Sequence, residues 1–158
     1  RWNFRVFEAR YGPDFGALSD ALRGWSLNGS VATARGDDET AHQPLTSIDP
    51  AKAVLGIAFD RERWGAELVG TFVERKDRLP KPTEDDPTVL FAAPGYATLD
   101  LYSHWKVHPR VELYAGLTNI TDRKYWDWGI VGGFAESSTI DRYTAPGRAA
   151  RVGLRATF

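Results

Sequence analysis

The chain has 158 residues, a formal net charge of -1 and no cysteine. It therefore has no disulfide framework, no thiolate metal site and no global charge to draw nucleic acid. Aromatic residues make up 13% of it, yet no apolar run reaches the about 18 residues that a membrane-crossing helix needs. Methionine is absent and Arg1 follows no leader segment, so the chain is expected to be a piece of something longer.

The sequence signal is period two, the spacing of a sheet with unlike faces. Near the start, Phe7, Ala9 and Tyr11 alternate with Glu8 and Arg10. Phe15 to Leu22 is a weak helix candidate. Trp25, Leu27, Gly29 and Val31 then alternate with Ser26, Asn28, Ser30 and Ala32. Ala53, Leu55, Ile57 and Phe59 oppose Lys52, Val54, Gly56 and Ala58. Trp64, Ala66, Leu68, Gly70 and Phe72 oppose Glu67, Val69 and Thr71. The clearest stretch is Tyr96 to Val107: Ala97, Leu99, Leu101, Trp105 and Val107 share one face, broken by Ser103. Val111 to Thr118 and Arg151 to Phe158 complete the set.

These elements predict an all-β fold, an antiparallel transmembrane β-barrel segment of about seven strands. Links are short after Phe59 and at His108-Pro109-Arg110. They are long between Arg35 and Lys52, Arg75 and Gly95, and Asn119 and Ala149. Outer-membrane barrels have short periplasmic turns and long external loops. With that orientation, Tyr11, Trp25, Phe59, Trp64, Trp105 and Phe158 fall at the periplasmic strand ends, as an aromatic girdle would. A soluble sandwich or lipocalin-like barrel also alternates, but does not explain the sorted loop lengths or the rings at one set of ends.

The last strand ends on Phe158, with Ala156, Leu154 and Val152 on its face. It resembles the signal that outer-membrane proteins present to their barrel-assembly machinery. Further motifs occur in order: Arg35-Gly36-Asp37, then Pro44 to Pro50, then Gly116-Leu117-Thr118-Asn119-Ile120-Thr121-Asp122-Arg123-Lys124-Tyr125-Trp126, and Tyr143 to Arg148 with its Pro-Gly-Arg. Together they resemble the closing segment of a TonB-dependent outer-membrane receptor, over nearly the whole chain and more loosely over residues 1–23. Lys124 to Trp128 and Asp141 to Arg148 look most like the haem and haemoglobin receptor branch. Ala149 departs from the Asn that often follows Pro-Gly-Arg.

The resemblance implies a barrel of about 22 strands, of which residues 1–158 would be the C-terminal portion without the plug domain. It implies uptake of haem or another iron complex across the bacterial outer membrane. Haem or a ferric complex would be the transported ligand, and this segment would bind no cofactor or metal of its own. Expected partners are outer-membrane lipid, the plug and remaining strands, the TonB energy complex through that plug, and the assembly machinery. A ferric-siderophore receptor is the alternative ligand class.

Candidate ligand contacts in the external loops are His42, an imidazole able to reach iron, and Trp126, Trp128 and Phe134, whose rings can stack on a flat ligand or grip a protein. The competing role for the rings is loop packing or girdle. Glu8, Arg10, Glu67, Asp100, Glu112, Arg151 and Arg155, with Arg75 and Lys106, face the lumen and can meet a plug or solvent. Asn119, Asp122, Pro146 and Gly147 are expected to shape the last loop, with Gly147 supplying a positive φ.

Acidic runs at 37–39 and 84–86 match no calcium loop. A small self-contained barrel, either an enzyme or an adhesive or structural protein, is the competing class. Ser103 and His104 are adjacent on a strand and point to opposite faces, so they cannot pair for catalysis. No enzyme activity is expected.

Overall fold

A computed structural model describes residues 2–12, 15–17, 19–136 and 138–158. Within these, the side chains of Trp2, Phe4, Val6, Ala9, Arg10, Tyr11, Ala17, Ala21 and Ser138 fall outside the description. The alternating segments form strands β1 (Trp2–Tyr11), β2 (Trp25–Asp38), β4 (Lys52–Asp60), β5 (Trp64–Val73), β6 (Tyr96–His108), β7 (Val111–Thr118) and β8 (Ala149–Ala156). A two-residue β3 (Gln43–Pro44) pairs beside the top of β2. The sheet is antiparallel, in the order β1-β2-β4-β5-β6-β7-β8.

Every sequence-predicted strand is present. The differences lie at their ends. β1 starts at Trp2 and β2 runs on to Asp38, because all of β1 pairs with β2, Trp2 opposite Asp38 and Tyr11 opposite Gly29. The charged top of β2 carries no apolar alternation, so ladder hydrogen bonds decide it rather than pattern. The Phe15 to Leu22 segment forms two 3-10 turns, Phe15–Ala17 and Asp20–Leu22, instead of a helix. The β1–β2 link is thus longer than a tight turn, and the alternation of short and long links fails there.

Register carries the two-faced pattern across the sheet. Leu27, Ile57, Leu68, Leu101, Leu117 and Ala150 stand side by side across β2, β4, β5, β6, β7 and β8. One residue along, Ser26, Ala58, Glu67, Tyr102, Gly116 and Arg151 form the matching row on the other face. A one-residue slip in any strand would exchange these faces. The apolar face is bare of protein: Leu55 is 52% and Phe72 48% exposed. In water, so wide an apolar sheet would be a gross liability; hydrocarbon is the solvent that suits it.

The rings cluster at one end of this face. Trp25 is opposite Phe59 with centroids 5.0 Å apart, and Phe59 lies 4.9 Å from Trp64. Trp64 is in turn opposite Trp105. Gly24 turns the chain there at φ 92, where a Cβ would stand 2.4 Å from the Asp60 carbonyl oxygen. Among the described residues, β1 and β8 each pair with one neighbour, so the sheet is an open arc.

Candidate functional site at the outer loops and inner face

At the outer end of β7, the chain must leave the sheet and return to it as β8. Asn119 adopts φ 48 and Asp122 φ 53, left-handed conformations that Asn and Asp tolerate. Asn119 is 3% exposed, and its side chain is fully used. Its oxygen accepts from the Arg123 backbone N–H at 2.9 Å; its nitrogen donates to the Arg123 carbonyl at 2.9 Å and the Pro146 carbonyl at 3.3 Å. Its own backbone N–H donates to Asp100 Oδ1 at 2.7 Å. The Asp122 carboxylate accepts from the Arg148 backbone N–H at 2.7 Å.

The Asn-Ile-Thr-Asp and Pro-Gly-Arg motifs therefore hold each other, closing the loop at its base. Gly147 differs from the expectation of positive φ: its φ is not among the left-handed values of the described residues. It is glycine for space, since a Cβ would meet Asp122 Oδ1 at 2.7 Å.

Above this clamp, the outer loops fold onto one another. Backbone bonds from Phe91 N–H to the Phe134 carbonyl at 2.9 Å and from Glu136 N–H to the Val89 carbonyl at 2.8 Å zip loop 74–95 to loop 119–148. A single helical turn, α1 (Trp128–Val131), is capped by the Asp127 carboxylate accepting from Gly129 N–H. Trp128, Val131, Ala93 and Ile140 form a buried apolar cluster, flanked by Leu79, Phe91 and Trp126. The Trp128 Nε1–H donates to the Thr46 carbonyl at 2.9 Å, which ties in loop 39–51.

Lys76 completes that junction. It is 5% exposed, donates to the Ile48 carbonyl and lies 5.1 Å from the Trp128 ring. Burial, then the Arg78 cation, pull its pKa below the ordinary lysine value; Asp49 opposes them. Tyr96 and Tyr125 stack with centroids 4.2 Å apart. Burial, then Asp100 and Asp127, push Tyr125 upward. Neither Lys76 nor this stack is marked by periodicity in the sequence.

The inner face is a polar network. Asn28 donates to Glu67 at 2.8 Å. Glu112 stands between Lys106 and Arg155 in register, and accepts from the Tyr114 hydroxyl. The Arg155 guanidinium lies 5.4 Å from the Tyr114 ring. Glu8, Glu67, Asp100, Glu112, Arg151 and Arg155 occupy this one face by register; the Arg10 and Tyr11 side chains lie outside the described residues. Arg75 has left β5 and pairs with Asp77 at 2.8 Å. A cleft of about 350 Å³ lies between this face and the inturned α1, lined by Glu8, Lys52 and Tyr96 below and by Asp127 and Trp128 above.

The loop candidates part company. Trp128, 6% exposed, is the centre of the loop core, and Trp126 packs beside it with Nε1–H on the Ile140 carbonyl at 3.1 Å. Their rings are engaged in packing, the competing role. Phe134 is at the surface, edge-on to Tyr143 at 4.8 Å. His42 sits exposed in the β2–β3 turn at φ 52. Val152 and Leu154 stand 84% and 64% exposed along edge strand β8, and Phe158 lies just beyond its end. In the acidic runs, Asp37 pairs with Arg78, and Asp86 closes a turn with Thr83 and Thr88.

An arc of antiparallel strands with a lipid-suited outside, a polar inside, an aromatic end and a loop cap defines a piece of an outer-membrane β-barrel. The TonB dependent receptor-like beta-barrel family model matches residues 3–120, and the chain belongs to that family. The probable hemoglobin and hemoglobin-haptoglobin-binding protein 4 of Haemophilus influenzae is 26% identical over 165 residues, covering 92% of this chain and 16% of its own length. Among solved structures, the copper transporter OprC superposes with TM-score 0.75 at 20% identity, over 98% of this chain and 24% of that one. The ferric citrate transporter FecA gives 0.66 at 20% identity, over 94% and 23%. The structural likenesses show the fold. The chain is located in the outer membrane, and it spans about a sixth of the length of the curated relative.

Proposed function

We propose that residues 1–158 are the C-terminal portion of a receptor barrel that takes up haem or another iron complex from a protein carrier. A plug domain outside these residues would fill the lumen and receive energy from the TonB complex. The observation that carries this reading is the match to a haemoglobin-binding relative over 92% of the chain. A match that long includes most of the outer loops, where ligand choice is made, and is not confined to strands that any barrel shares.

The cap supports the reading physically. Its packed interior presents Phe134, Tyr143, Ile130 and Val89 outward, side chains suited to gripping a protein surface. His42 is accessible on another loop. The cleft beneath α1, with Glu8 and Lys52, offers charged contacts to a plug. Val152, Leu154, Ala156 and Phe158 on an unpartnered edge suit recognition by the assembly machinery. The segment binds no cofactor in this reading, and ligand passes through chemically unchanged, without catalysis.

The test uses the full-length receptor in cells starved of iron. Growth on haemoglobin as iron source is expected, slowed by Phe134→Ala combined with Tyr143→Ala while ferric citrate makes no difference. Growth on a ferric siderophore and none on haemoglobin would overturn the haem assignment.

A further inference from the structure

The periplasmic end of the sheet holds a second arrangement that ligand uptake does not use. A cleft there is lined by Arg61, Arg63, Lys106, Asp60, Glu62 and Trp64. It lies where the β4–β5 turn meets the end of β6, closed by Arg61 N–H on the Trp64 carbonyl at 2.9 Å and Lys106 N–H on the Arg63 carbonyl at 2.7 Å. Arg23 on the same rim is neutralised by Asp20. Among the described residues, Arg61 and Arg63 make no ion pair with a carboxylate.

The position of the cleft matters as much as its charge. Trp64 is a member of the ring cluster that ends the apolar face, and the Arg61 guanidinium lies 5.3 Å from the Phe59 ring of the same cluster. Rings of this kind sit at headgroup depth, and long basic side chains beside them reach the polar layer. The cations therefore stand at the level of lipid phosphates, continuous with a surface that holds acyl chains.

We propose that this cleft is a binding site for one phospholipid headgroup, of the zwitterionic class that carries both a phosphodiester and an ammonium. Arg61 and Arg63 take the phosphate, since guanidinium donors bond its oxygens. Glu62, between them in the turn, faces the ammonium, whereas Asp60 stands 3.8 Å from His104 on the inner side. A purely anionic headgroup would leave the Glu62 carboxylate facing like charge. The acyl chains lie along the apolar face beside Trp64 and Trp105.

Full-length receptor, extracted from bilayers of mixed phosphatidylethanolamine and phosphatidylglycerol, is weighed by native mass spectrometry to count retained lipids. The parent is expected to keep one phosphatidylethanolamine that Arg61→Ser with Arg63→Ser loses, occupancy falling roughly tenfold or more. Glu62→Gln shifts retention toward phosphatidylglycerol. Heat-modifiable gel migration confirms that each variant is a folded barrel. Equal lipid counts in parent and variants overturn the site. Preference of the parent for phosphatidylglycerol, or displacement of the lipid by millimolar inorganic phosphate, overturns the headgroup assignment.

Discussion

The sheet and the loop cap are built on opposite solvent logics. In the sheet, large apolar side chains such as Leu55, Ile57 and Phe72 point away from protein, and the polar side chains face inward. In the cap, Trp128, Val131 and Ile140 are buried against one another, as in any water-soluble domain. The strands are held by ladder hydrogen bonds, which lipid makes obligatory because no water can replace them. The cap is held by conventional burial and by side chains bonded to backbone carbonyls. One chain thus carries two kinds of stability, and each is expected to fail under a different insult.

Truncation of the cap's central ring should have the largest effect. Trp128→Ala removes the hub of the apolar cluster and its bond to Thr46, a loss of about 3–5 kcal/mol for a buried tryptophan. The loss should be local: hydrogen exchange in the full receptor should accelerate through 39–51, 74–95 and 119–148, with the β4–β7 ladder unchanged. Exchange spreading into the strands would show that cap and sheet are one unit. Next in size is Leu101→Arg, at the middle of the lipid face. A cation there should cost about 2–4 kcal/mol in bilayer, read as a lower urea midpoint for the barrel with cap exchange untouched. A midpoint like the parent's would mean that this face is not in hydrocarbon.

The same contrast explains what could be read from sequence. Strands were legible because period two is imposed by a lipid outside and a wet inside, so Leu27, Leu68 and Leu101 announce their face wherever they stand. The charged top of β2 was not, because Arg35 and Asp37 follow no such pattern and pairing alone extends the strand. The clamp was legible as residue types, Asn119 and Asp122 at a strand end; its closure on Pro146 and Arg148 was not, being set by three-dimensional return of the chain. The cap core was least legible. Its members come from separate loops with no shared period, and only Asp127 ahead of Trp128 and Val131 hints at a capped helical turn. That is why the sequence offers Trp126 and Trp128 both as ligand contacts and, with more weight, as packing or girdle.

Lys76 gives the subtlest separation of the two regions. Its pKa is lowered chiefly by burial, so the folded cap holds this proton less tightly than an open one. At neutral pH the buried ammonium therefore costs cap stability. As pH rises from the lowered value toward the ordinary lysine value of 10.5, the open cap binds more protons than the folded one, and stability rises. Tyr125 acts oppositely: its raised pKa favours the folded, protonated ring, so stability falls once pH passes the ordinary tyrosine value of 10.0. Cap protection, measured by hydrogen exchange corrected for intrinsic rates, should climb as pH rises toward the ordinary lysine value, until the Tyr125 loss above 10.0 turns it over. Lys76→Met keeps the length and removes the charge, so the climb should vanish while the turnover remains. Because Lys76 bonds the Ile48 carbonyl and covers Trp128, the climb should appear together in all three loops and nowhere in the strands. A climb confined to loop 74–95 would mean that the loops are neighbours rather than one packed body.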